Sequence, residues 1–338
     1  MNSEENENYQ SCIEDDDSEL SMASHAVAEG LQCYGQRFEQ ILQKFEKNFS
    51  TLNGDEKKFF VDFKNHLRTV RDCAKVNSEY YTLVLDYVYN DEESLEFFKY
   101  DFSRYNYVLK LIARDWSENY RFEREEWFNP IINELSEAFD RNDRENVKVL
   151  CIGDELLRLA LEISRKGFLV EGVMEDILKI SVISQMNKLT DKNVFCIYPF
   201  INDWNNLLTD FGQIKPIRFP DTTFETEGST IVDDDYLKDE PSVIAARFLA
   251  DYAPTVSQEK VDAATTCGYF NLSKNVPLLI STIHHILKPG GVWINNGPLN
   301  NDYDPDYQAN SESAHMDYDE VKSALTKQGF EILVNIKN

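Results

Sequence analysis

An α/β fold, a doubly wound sheet preceded by an all-helical region, is what this sequence predicts, and three observations predict it. Residues 147–163 read Val-Lys-Val-Leu-Cys-Ile-Gly-Asp-Glu-Leu-Leu-Arg-Leu-Ala-Leu-Glu-Ile, a buried strand, a tight turn at Gly153 and a helical period. From there onward short apolar runs alternate with helical periods, as a wound sheet requires. Before it, from about residue 30 to 137, apolar residues recur at spacings of three and four with no strand signal.

Composition bounds what this fold can serve. A chain of 338 residues holds one large or two moderate domains with ample core. Its 60 Asp and Glu against 34 Lys and Arg leave a formal charge of -26, which repels phosphate backbones and anionic lipid, so neither nucleic acid nor membrane is expected as a partner. Cys12, Cys33, Cys73, Cys151, Cys196 and Cys267 lie far apart with no Cys-x-x-Cys and no signal peptide ahead of them. A reduced cytosolic setting is expected, with the nucleus as a second compartment. No apolar run approaches the roughly 20 residues that span a bilayer, and a soluble protein is expected.

Taken in order, residues 1–28 are polar, with an acidic block at 14–19, and carry too little apolar surface to offset ordering; they read as a disordered tail. Helices follow over 29–140, marked by Phe38, Ile41, Leu42 and Phe45, by Phe59, Phe60 and Phe63, and by Tyr81, Val84, Leu85 and Val88. Pro130 reads as the first-turn proline of a further helix, and the polar run 140–146 closes the helical region. The sheet domain occupies 145–338. Its strands are expected at 147–152, 168–173, 195–198, 262–266 and 292–295, with helices at 158–166, 177–187 and 276–287.

The Gly153 turn offers one glycine where a nucleotide-type cofactor loop normally has two or three, and it places Asp154 and Glu155 where a ligand carboxylate or phosphate would approach. A second signal is Leu287-Lys288-Pro289-Gly290-Gly291 between a helix and a strand. It resembles the turn before the fifth strand of class I methyltransferases, where proline and glycines end the helix and turn the chain into the sheet, although an ordinary helix-to-strand turn of another α/β fold reads the same way.

Longer blocks carry a closer resemblance. Arg114-Asp115-Trp116-Ser117, Arg158-Leu159-Ala160, Tyr198-Pro199, Gln213-Ile214-Lys215-Pro216-Ile217-Arg218-Phe219-Pro220-Asp221, Thr266-Cys267 and Trp293-Ile294-Asn295 followed by Gly297-Pro298-Leu299 together resemble the carnosine N-methyltransferase family, from about residue 35 to the end. The resemblance implies a class I methyltransferase Rossmann-like sheet preceded by an N-terminal all-α domain. It also implies S-adenosylmethionine as cofactor, methylation of an imidazole nitrogen of a histidyl dipeptide such as carnosine, and a homodimer through the helical region.

Position by position the resemblance is uneven. Arg114 matches the arginine that the helical domain lends to the cofactor's carboxylate, where a guanidinium makes a bidentate contact, while the glutamine expected three positions earlier is Leu111. The family loop Gly-x-Gly-x-Gly-Arg-Leu-Ala is here Gly153-Asp154-Glu155-Leu156-Leu157-Arg158-Leu159-Ala160, so only the first glycine survives. Glu155 adds bulk and an anion near the cofactor's own carboxylate, an interaction on the order of a few kcal/mol. Leu157 replaces a glycine that allows close approach of helix and strand, and is expected to push the helix away or to require a changed neighbour. At the end of the second strand the ribose carboxylate position is Met174; Glu175 and Asp176 follow and serve if the register slips, or else cap the next helix. Asp251 and Tyr252 match the acid–aromatic pair that meets the adenine, and Cys267 matches a further cofactor contact or is small apolar filling.

For chemistry, the family's Asp-Thr-Ala-His-Asn is here Asn271-Leu272-Ser273-Lys274-Asn275. The acid that would orient the imidazole and balance its growing charge is Asn271, Lys274 adds a like charge, and Asn275 keeps the family identity. A histidine expected after Gly297-Pro298-Leu299 is missing, with Asp302, Tyr303 and Asp304 in its place, and Tyr303 is the substrate-contact candidate there. The chain stops at Asn338, where the family continues with substrate-binding tyrosines and a final strand pair; either another segment or a partner covers the open sheet edge, or this is an incomplete isoform. His284 and His285 are adjacent on a predicted helix and face differently, the five histidines show no ligand spacing with cysteines, and no metal is assigned. Two functions are left: an active S-adenosylmethionine-dependent N-methyltransferase acting on a histidyl dipeptide, or a weakened or inactive relative kept as a binding or dimerisation partner. The altered loop, Met174, Asn271 and the short C-terminus favour the second for this chain's own chemistry.

Overall fold

The computed structural model describes residues 3–88, 102–174, 176–204, 210–224, 242–245, 249, 252, 260–270, 275–297 and 316–333. Helices α1 (Ser3–Thr51), α2 (Gly54–Lys57), α3 (Phe63–Leu85), α4 (Phe102–Trp116) and α5 (Arg121–Ala138) precede strand β1 (Lys148–Ile152). There follow α6 (Arg158–Ser164), β2 (Leu169–Met174), α7 (Ile177–Met186), β3 (Phe195–Ile197), α8 (Asp210–Gln213) and β4 (Ile217–Phe219). The described elements end with β5 (Ser242–Ala245), β6 (Val261–Cys267), α9 (Val276–Ile286), β7 (Leu287–Asn296) and α10 (Tyr318–Gln328).

The chain divides into two compact units, and the cut is not where the sequence puts it. One unit is Met1–Arg121 with Ile177–Thr223; the other is Phe122–Asp176 with Phe224–Asn338. Helix α5, expected in the helical domain, belongs with the sheet, and α7 with the β3–β4 hairpin belongs with the helices. Amphipathic periodicity says that a helix has a core face but not whose core it faces.

In the helical unit, Val27, Leu31, Tyr34, Phe38 and Leu42 form the buried stripe of α1 and meet the Leu67, Val70, Ala74, Tyr81 and Val84 stripe of α3. The stripe already includes Ser24, and helix α1 is continuous from Ser3, so the expected disordered tail through residue 28 is corrected: Ser24, Val27 and Ala28 repeat at the spacing of the core face. Within this core Asn77 is fully buried and clamps the backbone of Tyr198 just after β3: its Nδ2 donates to the Tyr198 carbonyl at 2.9 Å and its Oδ1 accepts from the Tyr198 N–H at 2.7 Å. Tyr80 stands against Phe195 and Phe219, which face each other across β3 and β4. The expected strand at 195–198 therefore exists but lies in a separate two-stranded antiparallel sheet, with β4 as its partner.

The sheet unit holds five parallel strands in the order β5-β2-β1-β6-β7. The outer place beside β2 is taken by β5, which pairs with it from Glu171↔Ser242 to Met174↔Ala245. Four residues are too few to show a period, and the sequence predicts no strand there. From β1 the chain winds one way through β2 to β5 and the other way through β6 to β7, so the switch point lies between β1 and β6. Leu150, Ile152, Val173, Ala264, Leu279, Ile283 and Ile286 join one apolar cluster beneath it. Pro130 sits inside α5 rather than in its first turn. The backbone bond it removes belongs to the carbonyl of Glu126, an exposed residue that water can serve, so the helix runs on.

The Pro-Gly-Gly turn is an insertion in the ladder. Pairing jumps from Val261↔Leu287 to Ala263↔Val292, so residues 288–291 oppose Asp262 alone. Asp262 ties the turn down, with Oδ1 2.7 Å from Lys288 Nζ and Oδ2 accepting from the Lys148 N–H at 2.9 Å. Burial opposes the charge, yet Lys288 and the Lys148 N–H together hold the Asp262 carboxyl below its ordinary value. A carboxyl lowered in the folded state adds stability above its unfolded pKa and loses it as pH falls through the folded one. Asp262→Asn is therefore expected to lower stability at pH 7 and to make no difference below the ordinary carboxylate range; an acid titration of the thermal midpoint in both proteins checks it, and a constant gap down to strong acid counts against it.

Candidate active site at the carboxyl edge of the sheet

In open parallel sheets ligands bind outside the carboxyl ends of the strands at the switch point. Here that edge is formed by Gly153 after β1, Cys267–Gly268 at the end of β6 and Asn296–Gly297 at the end of β7. Gly153 has φ +74, and a Cβ there would fall on the Tyr269 side chain, well inside contact distance. The backbone turn and Tyr269 thus require glycine at this place. Gly268 (φ +63) and Gly297 (φ +145) lie against each other: a Cβ on Gly297 would stand 2.8 Å from the Gly268 N, and one on either glycine within 3.5 Å of Trp127 Cζ3. The Asn296 Nδ2 donates to the Trp127 carbonyl at 2.8 Å, fixing α5 to the strand end. Trp293 Nε1 donates to Thr266 Oγ1 at 2.9 Å, which donates to Asn295 Oδ1 at 2.8 Å, so the Trp-Ile-Asn block braces the edge from behind.

The 153–157 turn is where sequence and structure meet most directly. Leu157 is fully buried and keeps a left-handed backbone, φ +54 and ψ +15, immediately before α6. A glycine would hold that conformation freely; leucine holds it at roughly 1–2 kcal/mol. Asp154 is 4 % exposed, and its Oδ2 accepts from the Ala160 N–H at 2.7 Å, spanning the turn. Burial first, and then the negative Asp154, push the Cys151 thiol far above its ordinary range, so this cysteine stays a protonated core residue.

The other expected site residues distribute as follows. Tyr252 is buried in the apolar cluster that contains Ile152, Val173 and Phe270. Cys267 is half-buried at the end of β6. Asn275 is the N-cap of α9, its Oδ1 accepting from the Leu278 N–H at 3.0 Å, so a helix end accounts for its identity. Arg114 lies in the helical unit, on α4, with Nε 2.6 Å from Oδ1 and Nη2 2.9 Å from Oδ2 of the fully buried Asp115. Asn271, Glu175, Asp251 and Tyr303 fall outside the described residues. Sequence reasoning missed Trp127, Tyr269 and the Gly268–Gly297 pair. The glycines directly after two strand ends were the available signal; Trp127 had none, since its partners lie more than a hundred residues away. The Gln213–Asp221 motif, which carries part of the resemblance, is tied into the helical unit: Gln213 Nε2 donates to the Ile201 carbonyl, its Oε1 lies 2.7 Å from His66 Nε2, and the Asp221 N–H donates to the Trp116 carbonyl.

Comparison with known proteins now decides the family, for the carnosine N-methyltransferase family model matches residues 92–338. The chain belongs to the carnosine N-methyltransferase family. It is 28% identical to the mouse carnosine N-methyltransferase over 324 residues, covering 91% of this chain and 77% of the relative. Against the Schizosaccharomyces pombe carnosine N-methyltransferase the figure is 26% over 345 residues, 95% of this chain and 90% of the relative. The Drosophila melanogaster carnosine N-methyltransferase unmet is 33% identical over 199 residues, 57% of this chain and 40% of the relative. The class I methyltransferase fold is that of the family. Among the described residues no group of three or more His, Cys, Asp and Glu is placed to hold a metal, and no helix is long and apolar enough to cross a membrane.

Whether S-adenosylmethionine fits can be asked of the turn. Its ring end finds the buried Tyr252 and the half-buried Cys267. Its amino-acid end meets a turn that is already braced, with the Asp154 carboxylate accepting from the Ala160 N–H and Tyr269 lying over Gly153.

Proposed function

We propose that this chain carries the reaction class of its family, N-methylation of the imidazole of a histidyl dipeptide such as carnosine with S-adenosylmethionine as donor, at a level reduced by its altered turn. The observation that carries the reading is the switch-point edge itself, a Gly153 turn beside Cys267 and Gly297, in a chain matched by the family over residues 92–338. When bound, the cofactor would supply an electrophilic methyl group. The chain's own part is positional. Tyr252 is the ring wall and Asp251 the acceptor for an exocyclic amino group. Asn271 accepts a hydrogen bond from the far ring N–H of a neutral imidazole but brings no full charge to balance an imidazolium. A homodimer and a cytosolic setting go with this reading.

A second reading, a scaffold without turnover that serves as a binding or dimerisation partner, is favoured by the buried Asp154 carboxylate and by Glu155 and Leu157 in place of glycines. Calorimetric titration with S-adenosylmethionine and S-adenosylhomocysteine, beside a dipeptide methylation assay, separates the two. Micromolar binding, with a thermal stabilisation of roughly 2.7 kcal/mol at a hundred times Kd, supports the first. Absence of binding at millimolar ligand leaves the second.

A further inference from the structure

The chain leaves β6 and β7 through glycines, Gly268 and Gly297, and an indole takes the room they leave. A Cβ on Gly268 would lie 3.3 Å from Trp127 Cζ3, and one on Gly297 3.5 Å from the same atom. Helix α5 has its own anchors: Asn296 Nδ2 holds the Trp127 carbonyl at 2.8 Å, and Phe128, Ile131 and Leu135 form its buried side. Trp127 is half-buried, as are Gly268 and Gly297 beneath it, so part of its ring faces the opening at the carboxyl edge. All of these residues belong to the sheet unit, and Gly268 stands three places ahead of Asn271 in the chain.

Methylation moves positive charge onto an imidazole. The ring nitrogen takes the methyl carbon, the carbon–sulfur electron pair stays on sulfur, and the ring afterwards sheds its far N–H proton to water. Asn271 brings no full charge to offset that cation. An aromatic face within about 6 Å does offset it, and tryptophan is the strongest of the side chains in this respect. We propose that Trp127 is a substrate-binding residue, whose indole stacks on the imidazole and favours its positively charged form. The proposal rests on the methyltransferase reading for the identity of the substrate, and it adds a group that takes over part of the absent acid's work. Glycine at both strand ends then has a functional reason, since a side chain on either would press on the indole.

The test is calorimetric titration of the full chain, with millimolar S-adenosylhomocysteine present, using three β-alanyl dipeptides. These are carnosine, its ring-dimethylated form, which is permanently cationic, and its thiophene analogue, which is flat and neutral. Wild type is expected to bind the cationic ring more tightly than the neutral one. Trp127→Leu keeps apolar bulk without a π face, and should lose about tenfold in affinity for the cationic ring and little for the neutral one. Trp127→Phe keeps a smaller π face and fills the site where the leucine variant does not fold; it should lose about threefold, again for the cationic ring alone. Denaturant midpoints of the three proteins report the fold. Equal affinities in wild type and Trp127→Leu overturn the proposal and leave the methyltransferase reading standing. Equal losses for the cationic and the neutral ring reduce Trp127 to filling and overturn it too. If no dipeptide binds wild type, there is no substrate site, and the reading and the proposal fall together.

Discussion

Asn271→Asp alone is expected to leave dipeptide methylation at the wild-type level, whereas the same change combined with Asp154→Ala and Glu155→Gly is expected to raise it by about two to three orders of magnitude. A carboxylate hydrogen-bonded to the far N–H of an imidazole both aligns the ring and balances the positive charge that grows on it, and removal of such preorganised electrostatic help commonly lowers a rate by ~100- to 1,000-fold. Restoring the acid therefore has a large reserve to recover. The recovery is masked while the altered turn leaves most chains without donor, because an acid that faces an empty site has nothing to stabilise. The two sets of changes are coupled, so their effects multiply only when both are present. Initial rates on carnosine for wild type, each partial variant and the triple variant decide the matter. Strong turnover by Asn271→Asp alone would falsify the view that the turn is the first obstacle.

Gly153→Ala is expected to destabilise the sheet unit by about 2–5 kcal/mol, more than a substitution at any exposed turn. Two separate contributions add here. A left-handed backbone with a side chain costs roughly 1–2 kcal/mol, and a Cβ forced onto the Tyr269 side chain is overpacking worth roughly 1–3 kcal/mol. Gly290 offers the control, since it has a similar φ of +80 and nothing within 4 Å of a Cβ built on it. Gly290→Ala should show the backbone part alone. Denaturant midpoints followed by tryptophan fluorescence compare the three proteins, with the transition slope expected to hold constant. Equal losses for the two alanine variants would remove Tyr269 from the account.

What could be read from the sequence follows the range of the interaction involved. β1, β2, β6 and α9 were visible because each carries a long apolar run or a full helical period within itself. The turn at Gly153 was visible because a glycine between strand and helix is a local signal. β5 was not, since Ser242–Ala245 is defined by its pairing with β2 rather than by any pattern of its own. The run at 195–198 was correctly a strand and wrongly placed, because pairing with β4 depends on β4 and on Tyr80. At the site the same division holds. Tyr252 and Cys267 were named from the resemblance, while Trp127 and Tyr269 were missed because their importance lies in what they cover, Gly268, Gly297 and Gly153, far away along the chain. Glu155 and Leu157 drew the attention as lost glycines; Asp154, at a position where the family pattern asks for nothing, supplies the buried charge.

The division of the chain also governs its birth. The helical unit needs Ile177–Thr223 to complete it, and the sheet unit is already begun by then, with β1 and β2 lying in Phe122–Asp176. A ribosome therefore delivers half of one core, then half of the other, then the rest of each, and neither can close as a contiguous nascent domain. Until about residue 223 has emerged, the Tyr80 side of α3 waits for β3 and β4, and the first two strands wait longer still for β6. Newly made chains of this protein should lean on cellular holdases throughout synthesis.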